Sequence, residues 1–414
     1  MIEIDGSKGE GGGQLCRNAL AYSSLLDIPI RIHSIRKNRS KPGLRAQHTA
    51  GINLAIDVCG EREGLKGCEV GSTSIEYCPK EKKSIQGENL ELQHKDSKKD
   101  IYYDIGTAGS ICLLLQAALP CWLFNCNKVQ TLTIQGGTNA SMAPQIDYFE
   151  QVFVPTLSKF LPVLNEKNLD LSEKDHFLSV HVEKRGYYPI GKGVVQCTLH
   201  PSMERFHGPL KPVHITNRGK CTKIHIQSFY AGKCPKIIAL KMGKSAQRCI
   251  QLASKHQEIE EDMKVTMEVI EHVPAVGSAS GILIIAETES GCLLASSGLG
   301  DRRDKPEQTG VKAAEDLICD LRAGGCVDEW LQDQLIIFMA LANGTSSIKT
   351  GCLTQHTKTA IDIASTLTSA KFKVQKLSDG ERKTDITGVD SRYGKEGYEP
   401  GQHIITCEGI GFCA

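Results

Sequence analysis

At 414 residues, with 40% hydrophobic and 23% charged content, the chain has the composition of a soluble globular protein and is too long for one hydrophobic core. A formal net charge of only +1 excludes a protein that coats nucleic acid nonspecifically, so any nucleic-acid contact is expected to be local. The 17 cysteines form no CxxC pair, which excludes a zinc ribbon or a thioredoxin-type redox pair and predicts reduced thiols in an intracellular compartment.

The opening segment reads as strand MIEID, glycine loop GSKGEGGG, helix QLCRNALAYSSLL and strand IPIRIHSI. It shows none of the charged start and apolar core of a secretion signal. A similar order recurs from 102 to 135: YYDIGTAGS, an apolar helix ICLLLQAALPCWLF, and a strand VQTLTIQ. That helix, the longest apolar run, is too short for a membrane span and is broken by Gln116 and Pro120. Residues 79–100 are highly charged and read as a solvated loop or a mobile edge.

Between 207 and 320 the texture changes. HITNRGKCTKIHIQSFY reads as paired strands, PKIIALKMGKSAQRCIQLASKHQ as a helix, and MKVTMEVIEH with SGILIIAETESGCLLASSG as a strand and a hairpin turned at Glu289-Ser290-Gly291. VKAAEDLICDLRAG is the closing helix. After it come the helix DEWLQDQLIIFMALANG, the strand TSSIKT, a helix following His356, and the strand KFKVQKL. The reading is α/β (α+β): a large domain of repeated units, residues 1–206 and 321–414, with a small inserted α/β domain, 207–320.

Four stretches have the residue types for chemistry. GEGGGQ, residues 9–14, opens a helix with glycines that would let backbone amides approach a phosphate, although a tight strand-to-helix turn explains it equally. Glu10 would repel that phosphate unless a divalent cation bridges them. Gln14 and Arg17 stand at i and i+3 and can face one ligand. RIHSIRKNRSKPGLR, residues 31–45, gathers Arg36, Arg39 and four further cations around a Pro-Gly turn. A solvated basic loop is the usual meaning of such a run, but converging arginines in a near-neutral protein suit capture of one phosphorylated end.

On the helix DEWLQDQ, Trp330, Asp333 and Gln334 fall at i, i+3 and i+4, one face with an aromatic plane, a carboxylate and an amide. That face could stack and hydrogen-bond a purine or orient an imidazole, or Trp330 could be a core residue beside a capping Asp. His356 stands at the start of a helix whose apolar stripe is Ala360, Ile361, Ile363, Ala364 and Leu367. A helix start would keep its imidazole neutral and nucleophilic while attracting a phosphate; most histidines are merely structural.

Together DGSKGEGGGQLCR (5–17), SIRKNRSKPGLRAQH (34–48), GTAGS (106–110), GGTNASMAP (136–144), RGYYPIGKGVV (185–195) and WLQDQLIIFMALA (330–342), followed by His356, closely resemble the RNA 3′-terminal phosphate cyclase family. The resemblance implies repeated βαβαββ units with a small inserted domain. It implies ATP and a divalent metal, Mg2+ or Mn2+, as cofactors and RNA with a 3′-terminal phosphate as partner. It also implies three nucleotidyl-transfer steps: histidine takes AMP from ATP, the RNA 3′-phosphate takes the AMP, and the 2′-hydroxyl closes a 2′,3′-cyclic phosphate.

Carried onto this chain, His356 matches the nucleophile and Glu10 a carboxylate near metal and triphosphate. Arg36, Arg39 and Gln47 match phosphate and RNA-end positions. Gln116, Pro144, Trp330, Asp333, Gln334 and Arg17 match the nucleotide pocket, with Asp333 a candidate to orient His356. The family often has tyrosine at the place of Trp330 and three glycines where this chain has Gly191-Lys192-Gly193. Two alternatives stand beside this reading. A noncatalytic relative acting in ribosome biogenesis would lack the nucleophilic histidine, and an enolpyruvyl transferase, similar in its repeated units, would need neither His356 nor the Trp-Asp-Gln face. The expected protein is soluble, nuclear (nucleoplasm) or cytoplasmic, without a membrane or an obligate protein partner.

Overall fold

The computed structural model describes residues 1–9, 11–59, 62–79, 100–126, 128–161, 177–200, 208–378 and 398–413. In the first unit, β1 (Ile2–Asp5), α1 (Gly13–Leu26), β2 (Ile30–His33), α2 (Ala46–Cys59), β3 (Leu65–Lys66) and β4 (Ile75–Tyr77) form a sheet ordered β1-β2-β4-β3. In the second, β5 (Ile101–Asp104), α3 (Ile111–Asn125), β6 (Gln130–Gly136), α4 (Ile146–Tyr148), α5 (Val154–Leu157), β7 (Leu178–Gly186) and β8 (Gly193–Leu199) repeat the order as β5-β6-β8-β7.

The third unit is interrupted. Its first strand, β9 (His214–Ile215), is followed by β10 (Cys221–Ala231), α6 (Lys236–Lys255), β11 (Lys264–Glu271), β12 (Ala275–Val276), β13 (Ala279–Thr288), β14 (Leu293–Leu299) and α7 (Pro306–Arg322). The unit then resumes with α8 (Glu329–Gln334), α9 (Ile336–Leu341), β15 (Thr345–Thr350), α10 (Gln355–Leu367), β16 (Lys371–Ser378) and β17 (Gln402–Glu408), ordered β9-β15-β17-β16. In all three units the first pair is parallel and the other two pairings antiparallel, and β12 adds a fifth strand, parallel to β7, to the second sheet. The mixed α/β class read from the sequence is therefore present, and the weak repeat is threefold.

Two local expectations change. HITNRGKCTKIHIQSFY does not pair with itself: His214–Ile215 runs parallel to Ser347–Ile348 in the third unit, whereas Cys221–Ala231 pairs with β11 and β13. DEWLQDQLIIFMALANG is two six-residue helices, not one. The hairpin falls where predicted, with Gly291 at φ +70° donating to the Thr288 carbonyl at 2.9 Å. Most of the charged 79–100 stretch lies outside the described residues.

The intervening segment builds a sheet ordered β11-β10-β13-β14, covered by α6 and α7. Helix α6 buries Ala239, Met242, Gly243, Ala246, Cys249, Ile250 and Ala253, the spacing of three and four that lays one stripe on a sheet. In the larger body, α1 packs against α2, α3 and α10, so helices from all three units meet. Ile52, Leu54 and Ile56 of α2 are fully buried there, each worth roughly 1.5–3 kcal/mol relative to exposure. This packing sets the first turns of α1 and α10 beside each other. All 17 cysteines are free, and no helix among the described residues is long and apolar enough to cross a membrane.

Candidate active site

The glycine loop before α1 is shaped by what it must fit between. Gly9 and Gly11 have φ of +61° and +60°, a region that favours glycine. A Cβ on Gly9 would lie 2.5 Å from Thr359 Oγ1 of α10, and one on Gly13 would lie 2.5 Å from the His48 ring. The loop is thus a close strand-to-helix turn wedged against the helix of His356.

His356 is the second residue of α10 and its side chain is exposed. Thr354 supplies the cap, its Oγ1 accepting from the Thr357 amide at 3.1 Å. Buried Gln332 fastens this turn to α8: its Oε1 accepts from the Thr354 amide at 3.2 Å and from the Thr357 hydroxyl at 2.8 Å, and its Nε2 donates to the Cys352 carbonyl at 3.2 Å. The backbone under the histidine is therefore held from two helices.

The imidazole is oriented through an intermediary. His356 Nδ1 lies 2.9 Å from Gln14 Oε1, and Gln14 Nε2 donates to Asp333 Oδ2 at 2.5 Å. An amide oxygen only accepts, so the shared proton sits on Nδ1, and in the neutral ring Nε2 is the nitrogen without a proton. Asp333, the candidate to orient His356, reaches it through Gln14. Burial pushes the Asp333 carboxyl up to about 7, with the Arg17 guanidinium pulling the other way.

Its neighbour Asp328 has a different task. Buried and raised to about 6 chiefly by desolvation, it caps α8 by accepting from the Trp330 and Leu331 amides at 3.0 and 2.9 Å. It also accepts from Tyr148 Oη at 2.7 Å and the Ala295 amide at 2.8 Å, which ties α8 to the second unit and to β14.

A narrow cleft opens beside the relay, lined by Gln14, Arg17, Gln116, Asp333 and Gln334 over Phe153, Ile337 and Phe338. Arg17 Nη2 donates to Gln116 Oε1 at 3.4 Å. Gln334 is 7% exposed, and its Nε2 has no hydrogen-bond partner among the described residues. Four of the sequence-predicted positions, Arg17, Gln116, Asp333 and Gln334, thus share the cleft, and His356 is joined to it through Gln14. Trp330 is half-buried and packs on the core, and Pro144 is buried in the loop after β6; neither lines the cleft.

The basic segment forms an arc. His48 is buried and held down to about 3, first by burial and then by the nearby charges of Arg17, Arg36 and Arg45. It stays neutral among three arginines, its Nδ1 accepting from the Arg45 amide at 3.1 Å. Arg36, at φ +57°, accepts at its carbonyl from the Arg39 amide at 3.0 Å, and Arg39 is exposed at the tip of that turn. Gln47 packs against the GTAGS loop, where a Cβ on Gly109 would lie 3.0 Å from Gln47 Cβ. Glu10 lies outside the described residues, among which no group of three or more His, Cys, Asp or Glu could hold a metal ion.

Sequence reasoning paired Gln14 with Arg17 by spacing but missed its place between His356 and Asp333, because 319 residues separate Gln14 from Asp333. His48 and Gln332 were missed altogether: one is an uncharged member of a charged cluster, the other faces away from the Trp-Asp-Gln face.

The model of the family described as RNA 3′-terminal phosphate cyclase matches residues 8–374. A Desulfurococcus amylolyticus protein of that name is 35% identical over 412 residues, covering 100% of this chain and 99% of its own length. One from Drosophila melanogaster is 34% identical over 391 residues, covering 94% and 97%. A Dictyostelium discoideum protein named "Probable RNA 3′-terminal phosphate cyclase" is 36% identical over 412 residues, covering 99% and 83%. With the family's model matching residues 8–374 and relatives of that name alike over nearly the whole length, the chain belongs to the RNA 3′-terminal phosphate cyclase family and is an enzyme of that kind.

Proposed function

We propose that the enzyme converts an RNA 3′-terminal phosphate to a 2′,3′-cyclic phosphate through a covalent histidine-AMP and an RNA-adenylate. The observation that carries this reading is the His356–Gln14–Asp333 relay, which leaves Nε2 unprotonated at the cleft edge. In the first step Nε2 attacks the α-phosphorus of ATP, the bond to the bridging oxygen breaks, and pyrophosphate leaves with that electron pair. The imidazole becomes positively charged, and Nδ1–H keeps its bond to Gln14. An RNA 3′-phosphate oxygen then displaces the imidazole from the AMP phosphorus. Finally the 2′-hydroxyl loses its proton and attacks the 3′-phosphorus, expelling AMP.

The nucleotide's place is the Arg17–Gln116–Gln334 cleft. The partnerless buried Gln334 amide suits a ring acceptor of adenine, and Arg17 suits a phosphate. The cleft is tight, about 20 Å³, so side chains such as Gln116 must swing outward to admit a purine. Trp330 and Pro144 would border it only after such movement. Arg36, Arg39 and Gln47 are proposed for the RNA end, and the Arg36 charge lies near His48.

Mg2+ or Mn2+, with Glu10 as its proposed carboxylate, would neutralise triphosphate charge. The described residues build no cluster for it, so no step is derived through the cation. Residues 207–320 are proposed as an accessory domain, supported by a sheet of their own, although β9 and β12 within that range pair outward with the larger sheets. A noncatalytic role in ribosome biogenesis is the alternative, and the intact relay weighs against it.

The test is an RNA oligonucleotide ending in a 3′-phosphate, incubated with the protein, ATP and Mg2+ or Mn2+. The end should become resistant to phosphatase, with one AMP released per end. An end that stays phosphatase-sensitive under all conditions would transfer the argument to the noncatalytic alternative.

A further inference from the structure

The segment between β9 and α8 carries a cavity of about 400 Å³ that the reaction above does not use. Both of its long helices begin there. Helix α6 starts at Lys236 after Pro235, and α7 at Pro306 after Lys305. They run for 20 and 17 residues, so each presents the positive end of a full macrodipole. Pro235 provides no side-chain acceptor for the first amides of α6.

Ser280 also lines this cavity. It is 7% exposed, and its hydroxyl makes no hydrogen bond with any described residue. Gly300 keeps its space open, since a Cβ there would lie 2.3 Å from Ser280 Oγ. An unpartnered hydroxyl on a residue more than nine-tenths buried, beside two helix starts, is suited to the oxygen of an anion. Lys233 and Arg302 stand at the rim, exposed and without ion pairs among the described residues. Of the acidic groups nearby, Asp301 is held by Arg303 at 2.9 Å and Glu307 by Lys241 at 3.4 Å, which leaves Asp304 as the opposing charge. Ile238 and Met242 give the cavity an apolar wall.

The cavity is joined by a run of close contacts to the side of the active site proposed for RNA. Ser278, which accepts from the Lys233 amide at 2.9 Å, follows Gly277, where a Cβ would lie 3.3 Å from Tyr187 Cβ. The hairpin that Tyr187 opens returns at Gly191, where a Cβ would lie 2.7 Å from the Ala108 Cα, next to Gly109 and Gln47. Tyr188 on that hairpin is 83% exposed.

We propose that this cavity is a second nucleotide site, taking a nucleoside phosphate with its phosphate at the α6 and α7 starts and Ser280 and its ring on Ile238 and Met242. The ligand is either a nucleotide of the RNA upstream of the reacting end, in which case the inference rests on the cyclase reading, or a free nucleotide.

The experiment uses the full chain as wild type, K233E/R302E and S280A. The probes are a fluorescein-labelled decaribonucleotide with a 3′-phosphate, a dinucleotide with a 3′-phosphate, and AMP. For an RNA nucleotide, K233E/R302E weakens decamer binding at least tenfold and S280A about threefold. Turnover of the dinucleotide and adenylation of His356 stay at wild-type rates. For a free nucleotide, wild type binds two equivalents of AMP and both variants bind one, while decamer affinity holds. Equal decamer affinity in all three proteins with one AMP site in wild type overturns the proposal. So does a decamer loss confined to K233E/R302E, because charge reversal alone then explains it. Failure of dinucleotide turnover in the wild type would instead count against the cyclase reading, not against this site.

Discussion

At residue 333 one carboxyl has two consequences that pH separates. Ionised, Asp333 accepts from Gln14 and so turns the amide oxygen toward His356; protonated, it can donate to that oxygen and turn the amide nitrogen toward the imidazole instead. With its carboxyl raised to about 7, adenylation of His356 should rise as pH climbs through neutrality. Asp333→Asn should lower the rate tenfold or more and flatten the profile between pH 6 and 8.5, measured as the single-turnover rate of AMP transfer. A D333N profile as steep as that of the wild type would remove Asp333 from the relay. Stability runs the opposite way. A carboxyl whose folded value is raised contributes stability below its unfolded value of 3.8 and loses it as pH rises through 7. D333N should therefore melt higher than wild type at pH 8 by on the order of 1 kcal/mol or more, and by less at pH 5.

Helix starts decide where these residues stand. Thr354 and Gln332 hold the first turn of α10, and neither touches the reacting atoms. Thr354→Val should cost about 1 kcal/mol of stability through the lost cap. Gln332→Ala leaves the Thr354 amide without its acceptor and should cost roughly 1–3 kcal/mol while slowing adenylation, with RNA affinity unchanged. Denaturant melts together with anisotropy on a labelled RNA check both, and a Q332A protein as fast as wild type would show that the turn needs no staple. At this scale the sequence was partly legible. The stripe from Ala360 to Leu367 located α10. Gln332 was hidden because its partners are Thr354 and Thr357, 22 and 25 residues on, and no local pattern encodes that contact. The single helix expected over DEWLQDQLIIFMALANG breaks at Leu335, where nothing in its composition marks a stop.

In the whole molecule, near-zero net charge and a concentrated arginine arc predict a short electrostatic footprint. Arg39→Ala should weaken use of 3′-phosphorylated RNA severalfold and reduce the salt slope of binding by about 1, while leaving AMP transfer to His356 intact. Unchanged turnover at limiting RNA would exclude Arg39 from the RNA end. The threefold repeat was legible as alternating strands and helices, yet the common first-second-fourth-third strand order was not, because pairing partners lie far apart in sequence. The same distance hid His48, whose meaning comes from Arg17, Arg36 and Arg45 around it.

In the proposed mechanism the relay from Asp333 through Gln14 presents one nitrogen, so the most direct measurement is of that nitrogen's product. The protein is incubated with ATP labelled at the α-phosphate and the divalent cation, then denatured. Wild type should carry label in an acid-labile, hydroxylamine-sensitive bond, and His356→Ala, folded by its melting curve, should carry none. Equal labelling of H356A would contradict the account at its centre.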